Sequence, residues 1–473
     1  MGAGNTGLST ALKLKLDGHE VCLFDLDKFS SATEDLHEEI SLIYDENTHN
    51  LKLDLVTNKI DEALDFSKYI ILCVPAYAHK EFAKELSNKV TEDHIVILMP
   101  GTLGSLEMRN VFEKNNSKIP IIGETDTSPF VCRRTSNTEA TILGIVPSLG
   151  IGILPKSSTK TIVNELKEFF PTLVEYNDVV ECGFSSLNPV IHPAGVLLNS
   201  GRIEKSNGEF YFYNEGVTPS VTNVINAVDS ERKNIASIFD HKLPNIADSF
   251  HSAGFGIKGN LMETISSSDM LTSLKAPGVV NHRWLTEDIS YGIYTWSLIG
   301  EKFEVPTETI GNIISLASVL LGFDLKENST SLDDIGIKNL SFDEIKEISK
   351  NDNCTILFQA GKTNETAHYL DILRREIYEI ENNNKYEFVW IDDFPYFEYD
   401  EGKLQPSHHP FTSPKDVNKF IKNPKESIAL HYDLVLNGVE LGSGSQRINN
   451  PKLQHDVLSK CCLLYTSPSP RDS

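Results

Sequence analysis

Residues 1–7 read Met1-Gly2-Ala3-Gly4-Asn5-Thr6-Gly7, and the stretch behind them repeats Leu8, Ala11, Leu12 and Leu16 at helical spacing up to Gly18. This is a G-x-G-x-x-G loop opening into a helix. Gly2 permits the tight turn, Gly4 lets backbone approach a pyrophosphate, and Gly7 lets helix pack on strand. Asn5 and Thr6 sit between them, at a helix N-terminus whose free N–H groups and dipole favour phosphate. A strand, Val21 to Phe24, follows and ends in Asp25. That carboxylate lies about 20 residues past the loop, where a ribose 2′-hydroxyl is gripped. Such a loop should itself follow a buried central strand, yet only Met1 stands ahead of Gly2. The expectation is a chain lacking its first strand.

Working outward, apolar runs and helical stretches alternate. Tyr69 to Val74 is a continuous apolar run ending at Pro75, followed by a helix through Phe82, Leu86 and Val90. Ile95 to Met99 is the next strand, closed by Pro100-Gly101; a helix with Leu106, Val111 and Phe112 leads to a strand at Ile119 to Ile122. Short links between alternating elements predict a doubly wound α/β domain of Rossmann type over residues 1–175. Ligands bind such sheets at the carboxyl ends of the strands, so Val74, Pro75, Pro100 and Gly101 are expected to face a dinucleotide. A carboxylate at Asp25 repels a 2′-phosphate, which favours NAD over NADP, although Lys28 nearby softens that preference.

Composition narrows the class. The 473 residues suit about three domains. A net charge of −24 argues against a general binder of nucleic acid or membrane surface. The 7 cysteines include no C-x-x-C pair, so neither a metal site nor a disulfide framework is expected. No apolar run reaches about 18 residues and no signal peptide opens the chain. The expectation is a cytoplasmic protein with reduced thiols.

Residues 176–350 turn helical. Val221, Val224, Ile225, Val228, Ile235, Ile238 and Phe239 form one apolar face, and Ile310, Ile313, Ile314, Ala317 and Leu321 another, stopped by Gly322. Two polar stretches interrupt this region: NPVIHPAGVLLNSGRIE, holding His192, and HRWLTEDISYG, holding His282, Arg283, Glu287 and Asp288. Together with GAGNTG, ETDTSPFVCR, YFYNEGVTPSV and VPTETIGNIISLASVLLG, in order, these make the chain to about residue 350 resemble the octopine/nopaline type of opine dehydrogenase. The resemblance implies a Rossmann domain and an all-α domain with the active site between them. It implies reductive joining of an amino acid to a 2-oxo acid with NAD(P)H. His192 and Asp288 fall on the family's catalytic pair, and Arg283 on an arginine that holds a substrate carboxylate.

The chemistry fits those residue types. An amine and a 2-oxo acid condense to an imine, and protons must move near neutral pH, which suits imidazole. A carboxylate on its far nitrogen fixes the tautomer and stabilises imidazolium. Arginine offers a two-pronged fork to a carboxylate. His282 reads as structural and Glu287 as a supporting residue. Which amino acid and which 2-oxo acid react is left open, as is the oligomeric state.

Beyond about Cys354 the text changes. FVWIDDFPYFEYDEGK, HHPFTSPKD and YDLVLNGVELGSGSQRI resemble the catalytic domain of bacterial-type aspartyl-tRNA synthetase over residues 351–460. The resemblance places His408 and His409 near an aspartate site, Glu440 near ATP and magnesium, and Arg447 on a carboxylate. A family triple glycine is here Gly442-Ser443-Gly444. The synthetase's dimerisation motif, its upstream arginine motif, its final ATP motif and its anticodon domain are missing, so an incomplete α+β fragment without ligase activity is expected. Residues 461–473, ending LLYTSPSPRDS, resemble translated sequencing adapter. Two families joined near residue 350 read as a chimeric polypeptide. The alternatives to a dehydrogenase are therefore a ligase fragment or a chain with no activity.

Overall fold

The computed structural model describes residues 1–342, 344–345, 388–400, 403–436 and 439–460. The chain divides into two compact units, Met1–Cys354 and Thr355–Ser473.

In the first unit, helix α1 (Asn5–Leu16) leaves the glycine loop and is followed by β1 (Cys22–Phe24). A hairpin, β2 (Ile40–Tyr44) and β3 (Asn47–Leu51), leads to β4 (Leu55–Thr57) and α2 (Ile60–Phe66). Then come β5 (Tyr69–Leu72), α3 (His79–Leu86), β6 (Ile95–Leu98), α4 (Gly104–Lys114) and β7 (Ile121–Thr125). A second hairpin, β8 (Phe130–Ser136) and β9 (Glu139–Ile145), precedes β10 (Leu149–Leu154), α5 (Thr159–Leu166) and β11 (Leu173–Glu175). The main sheet runs β11-β10-β7-β6-β5. β5, β6 and β7 are parallel, and β10 is antiparallel to β7. All four residues of β6 are buried, as a strand covered on both faces requires. Two details differ from the sequence reading. α3 stops at Leu86, before Val90, and β7 begins at Ile121, leaving Ile119 exposed. The hairpins also combine into a side sheet, β3-β2-β9-β8, that periodicity did not announce.

β1 pairs with β4, in a separate two-stranded sheet. Between β1 and β5 lies one residue, Met1. Its amine donates to Ile71 O at 2.6 Å and its carbonyl accepts from Cys73 N at 2.9 Å, the pattern of a parallel ladder opposite Leu72. On the other side Gly2 N donates to Phe24 O at 2.8 Å. Behind Met1 the sheet is open, as a slot of about 120 Å³ lined by Leu14, Val21, Leu23, Tyr69 and Ile71 among others.

The helical half begins with α6 (Val179–Ser185), α7 (Asn188–Leu198), α8 (Ser200–Ser206) and the long α9 (Pro219–Ile238). Short helices follow: α10 (Ile246–Ser252), α11 (Leu261–Ser266), α12 (Asp269–Thr272) and α13 (Arg283–Glu287). A π turn, Asp288–Ile293, leads into α14 (Tyr294–Lys302) and α15 (Glu308–Leu321). Gly322, at φ +78°, ends α15 in the left-handed conformation that favours glycine. One core joins both halves: Leu103, Leu106 and Leu154 pack with Val190, Ile225, Trp296 and Ile314. Asn110 on α4 fastens the halves further, donating to Asp333 O and Asp334 O at 2.7 Å each.

The second unit holds a three-stranded antiparallel sheet, ordered β12-β15-β16, and a separate hairpin of β13 and β14. These are β12 (Phe388–Ile391), β13 (Phe397–Asp400), β14 (Lys403–Pro406), β15 (His431–Leu436) and β16 (Val439–Ser445). Helices α16 (Val417–Lys422) and α17 (Pro451–Lys460) also belong to it. Among the described residues its core gathers Tyr396, Phe397, Phe420, Ala429 and Val457, and all four residues of β12 are exposed. The adapter-like stretch at 461–473 lies outside the described residues.

Candidate active site

The glycine loop is shaped for a ligand. A Cβ on Gly2 would lie 2.6 Å from Val74, and one on Gly7 would lie 1.7 Å from Gly2 O, so both glycines are demanded by the loop itself. A Cβ on Gly4 would meet nothing within 4 Å, which leaves open space in front of the loop where a phosphate belongs. No side chain caps α1 and no acidic residue stands in its first turn. Asn5 and Thr6 line the adjoining cleft, and Asn5 Oδ1 accepts from Arg134 N at 3.1 Å. Arg134 on β8 braces the loop by donating to Ala3 O at 2.7 Å, a role sequence reading did not single out. These residues fit a dinucleotide. Among the described residues no group of three or more His, Cys, Asp or Glu side chains is arranged to hold a metal ion.

Asp25 is not aimed as the sequence suggested. It is buried, with Oδ2 accepting from Ala3 N at 2.7 Å and Oδ1 from Leu26 N at 2.8 Å. The carboxylate ties the glycine loop to β1, and both oxygens are already engaged by backbone. An exposed carboxylate nearby is Asp27, which shares a surface cleft with Lys28, Asn58, Lys59 and Asp61, while Lys28 is paired with Glu81 at 2.5 Å.

His192 and Asp288 come from elements 96 residues apart and meet at 2.8 Å, Nδ1 to Oδ2. A carboxylate only accepts, so Nδ1 carries the proton and Nε2 is the acceptor in the neutral ring. Nε2 lies 3.1 Å from the Tyr213 hydroxyl, which donates to it. Burial raises the Tyr213 hydroxyl above its ordinary value, with Asp288 adding to the effect. Trp284 stacks on the imidazole, centroids 4.3 Å apart and planes 8° from parallel. Tyr213 belongs to the YFYNEG stretch and Trp284 directly follows Arg283, but neither contact was legible in the chain. His192, Tyr213, Trp284, Arg283, Asn5 and Thr6 all line one cleft of about 350 Å³. Its far wall holds Asp126, whose carboxyl burial pushes up to about 7 and which accepts from the Tyr176 hydroxyl at 2.8 Å.

Arg283 opens α13, with its side chain 61% exposed and its Nε 3.1 Å from Glu287 Oε2. Glu287 in turn accepts from Ala76 N at 2.9 Å, across the two halves of the unit. Val74, Ala76, Pro100 and Gly101 line a small cleft together with Arg283, Glu287 and Asp288, so the two strand-end turns do face the helical half. His282 caps α13, its Nδ1 accepting from Trp284 N at 3.3 Å, in keeping with a structural part.

The synthetase-like residues are less gathered. His408 stacks on His431 at 3.8 Å and meets Phe394 edge-on. His409 packs on Phe411, Glu440 is exposed on β16, and Arg447 is exposed past the end of that strand.

Comparison with known proteins bears on the family and the fold. Residues 175–321 match the family model described as NAD/NADP octopine/nopaline dehydrogenase, alpha-helical domain, and residues 1–141 match that of ketopantoate reductase PanE/ApbA. The chain is 28% identical over 344 residues to an opine dehydrogenase of Arthrobacter sp. (strain 1C), covering 72% of this chain and 95% of that protein. A solved octopine dehydrogenase in complex with NADH and agmatine shares the fold, with a TM-score of 0.59 and 18% identity, over 75% of this chain and 98% of that one. Further along, the chain is 43% identical over 127 residues to the aspartate–tRNA(Asp/Asn) ligase of Chlamydia caviae, which is 26% of this chain but only 21% of that ligase. The chain thus spans about a fifth of that ligase's length.

Proposed function

We propose that the first unit, an NAD(P)-dependent oxidoreductase of opine dehydrogenase type, reductively condenses an amino acid with a 2-oxo acid, in the cytoplasm, with His192 at the centre of the chemistry. The observation that carries this reading is the His192–Asp288 pair at 2.8 Å, opening onto a cleft shared with the residues of the glycine loop. NAD(P)H supplies the hydride that reduces the imine carbon. The chain's own residues do the rest. Gly2, Gly4 and Gly7 shape the loop for the pyrophosphate, and the N–H groups of α1 at Asn5 and Thr6 face it. Val74, Pro75, Pro100 and Gly101 bound the nicotinamide side.

His192 Nε2 takes a proton from the attacking amine and returns one to the departing carbinolamine hydroxyl. Asp288 holds the Nδ1–H tautomer and stabilises the imidazolium that forms. The Tyr213 hydroxyl, now on Nε2, is displaced by substrate or passes the proton on. Trp284 presses the ring flat, so its nitrogens stay aligned with Asp288 on one side and the cleft on the other. Arg283 offers its guanidinium to the carboxylate of the 2-oxo acid. The test is NADH oxidation on adding pyruvate with a panel of amino acids, followed by isolation of the secondary amine product. Oxidation that needs no amino acid would refute the reading.

A further inference from the structure

Arg283 and Asp288 sit at the two ends of α13, and between them Glu287 touches three things at once. One oxygen accepts from Ala76 N at 2.9 Å, in the turn that follows β5. The other lies 3.1 Å from Arg283 Nε. Its backbone runs directly into Asp288, the partner of His192. The two side chains differ in freedom: Glu287 is 13% exposed and Arg283 61% exposed. Glu287 is therefore the fixed member and Arg283 the movable one. A guanidinium has five N–H groups, and a carboxylate beside Nε, paired by charge rather than by a formed hydrogen bond, leaves the Nη1/Nη2 edge open. That edge is the one able to grip a second carboxylate with two parallel bonds.

We infer that Glu287 is a positioning residue: it aims the open edge of Arg283 at the carboxylate of the incoming 2-oxo acid, and it docks the cofactor-side turn onto the same helix. The inference rests on the reaction proposed above. Its consequence is a split between two affinities. The contact with Ala76 N needs only an acceptor, which an amide oxygen supplies. Aiming Arg283 needs the charge as well. Burial raises the Glu287 carboxyl above its ordinary range, while Arg283 and the Ala76 N–H pull it back towards ionisation.

The experiment compares Glu287→Gln and Glu287→Ala with the natural protein, titrating NADH and then pyruvate onto the NADH-loaded protein by fluorescence, with turnover measured in parallel. Glu287→Gln should weaken pyruvate binding roughly fivefold, the worth of one partly exposed ion pair, and leave NADH affinity within twofold. Glu287→Ala should weaken both. In an Arg283→Lys background, Glu287→Gln should have no further effect on pyruvate, since the pair acts as a unit. Unchanged pyruvate affinity in Glu287→Gln, or equal loss of NADH and pyruvate affinity, overturns the inference while the dehydrogenase reading stands. Failure of the natural protein to bind pyruvate at all overturns both.

Discussion

The slot between β1 and β5 makes a quantitative prediction. Met1 shows that the gap is one strand wide, because this single residue bonds to β5 while Gly2 bonds to β1. Its register opposite Leu72 means that four residues placed ahead of it would run back along Tyr69–Ile71 and beside Cys22–Phe24. Replacing Met1 with Lys-Ile-Ala-Val-Ile should fill the slot. Three branched side chains buried on a covered strand contribute about 4–9 kcal/mol. Roughly five new ladder bonds contribute about 1 kcal/mol each. Ordering four residues costs about 4–8 kcal/mol. The net gain is on the order of 5 kcal/mol, or roughly 10 °C in melting temperature. A second gain comes from the amine. Burial lowers the Met1 amine's affinity for its proton, and the added strand carries that charge out to the surface. Because the strand anchors the glycine loop, NADH affinity should rise too. The assays are thermal melting and NADH titration, with Lys-Ser-Pro-Ser-Gly in place of Met1 as a control that cannot form the ladder. Equal melting temperature and equal affinity for all three proteins would refute the account of the sheet.

Further outcomes are expected from single substitutions. His192→Asn should lower turnover by about two to four orders of magnitude with NADH affinity retained; lost NADH affinity with intact turnover would move His192 to the cofactor site. Tyr213→Phe should alter the pH profile of turnover far more than the binding of NADH, read from rates between pH 5.5 and 9. Asp25→Asn should weaken NADH and NADPH alike, because it frees a buried N–H of the loop at about 1–3 kcal/mol, whereas Asp27→Ser should shift the ratio of the two affinities towards NADPH. Glu124 is fully buried and accepts from Leu103 N and Ser105 N at 2.9 Å each, and burial pushes its carboxyl up to about 7. Since the folded value lies above the ordinary one, its stabilising effect is complete below about pH 4.5 and is lost as pH rises through 7, by about 3 kcal/mol. Glu124→Gln should flatten the fall in melting temperature between pH 5 and 7.5, and parallel curves would exclude Glu124 as its source.

The glycine loop was legible because its function is written in local spacing: three small residues in a row of seven, then a helix. The covered strands β5 and β6 were legible for the same reason, as apolar runs with turn residues at their ends. His192 and Asp288 could be paired only through whole-motif resemblance, since no local rule links residues 96 positions apart. Asp25 was misjudged because spacing locates a carboxylate along the chain but does not say which way it points, and the Ala3 N–H decides that. The hairpin β8–β9 hid inside a stretch read for its motif rather than for its alternation. The stacking of Trp284 on His192 depends on two helices crossing, which neither helix encodes alone.

That stack also gives the protein an optical signal of its own. The chain has three tryptophans: Trp296 is fully buried in the core, Trp390 is 65% exposed in the second unit, and Trp284 lies flat on the imidazole. Indole emission is quenched by a protonated imidazole at contact distance and is much less affected by a neutral one. Trp284 should therefore dim when His192 carries a second proton, and Trp284→Phe, which keeps Trp296 and Trp390, supplies the reference. Mixing experiments that follow this emission would time the arrival and departure of that proton within a single turnover, with no label added to the protein.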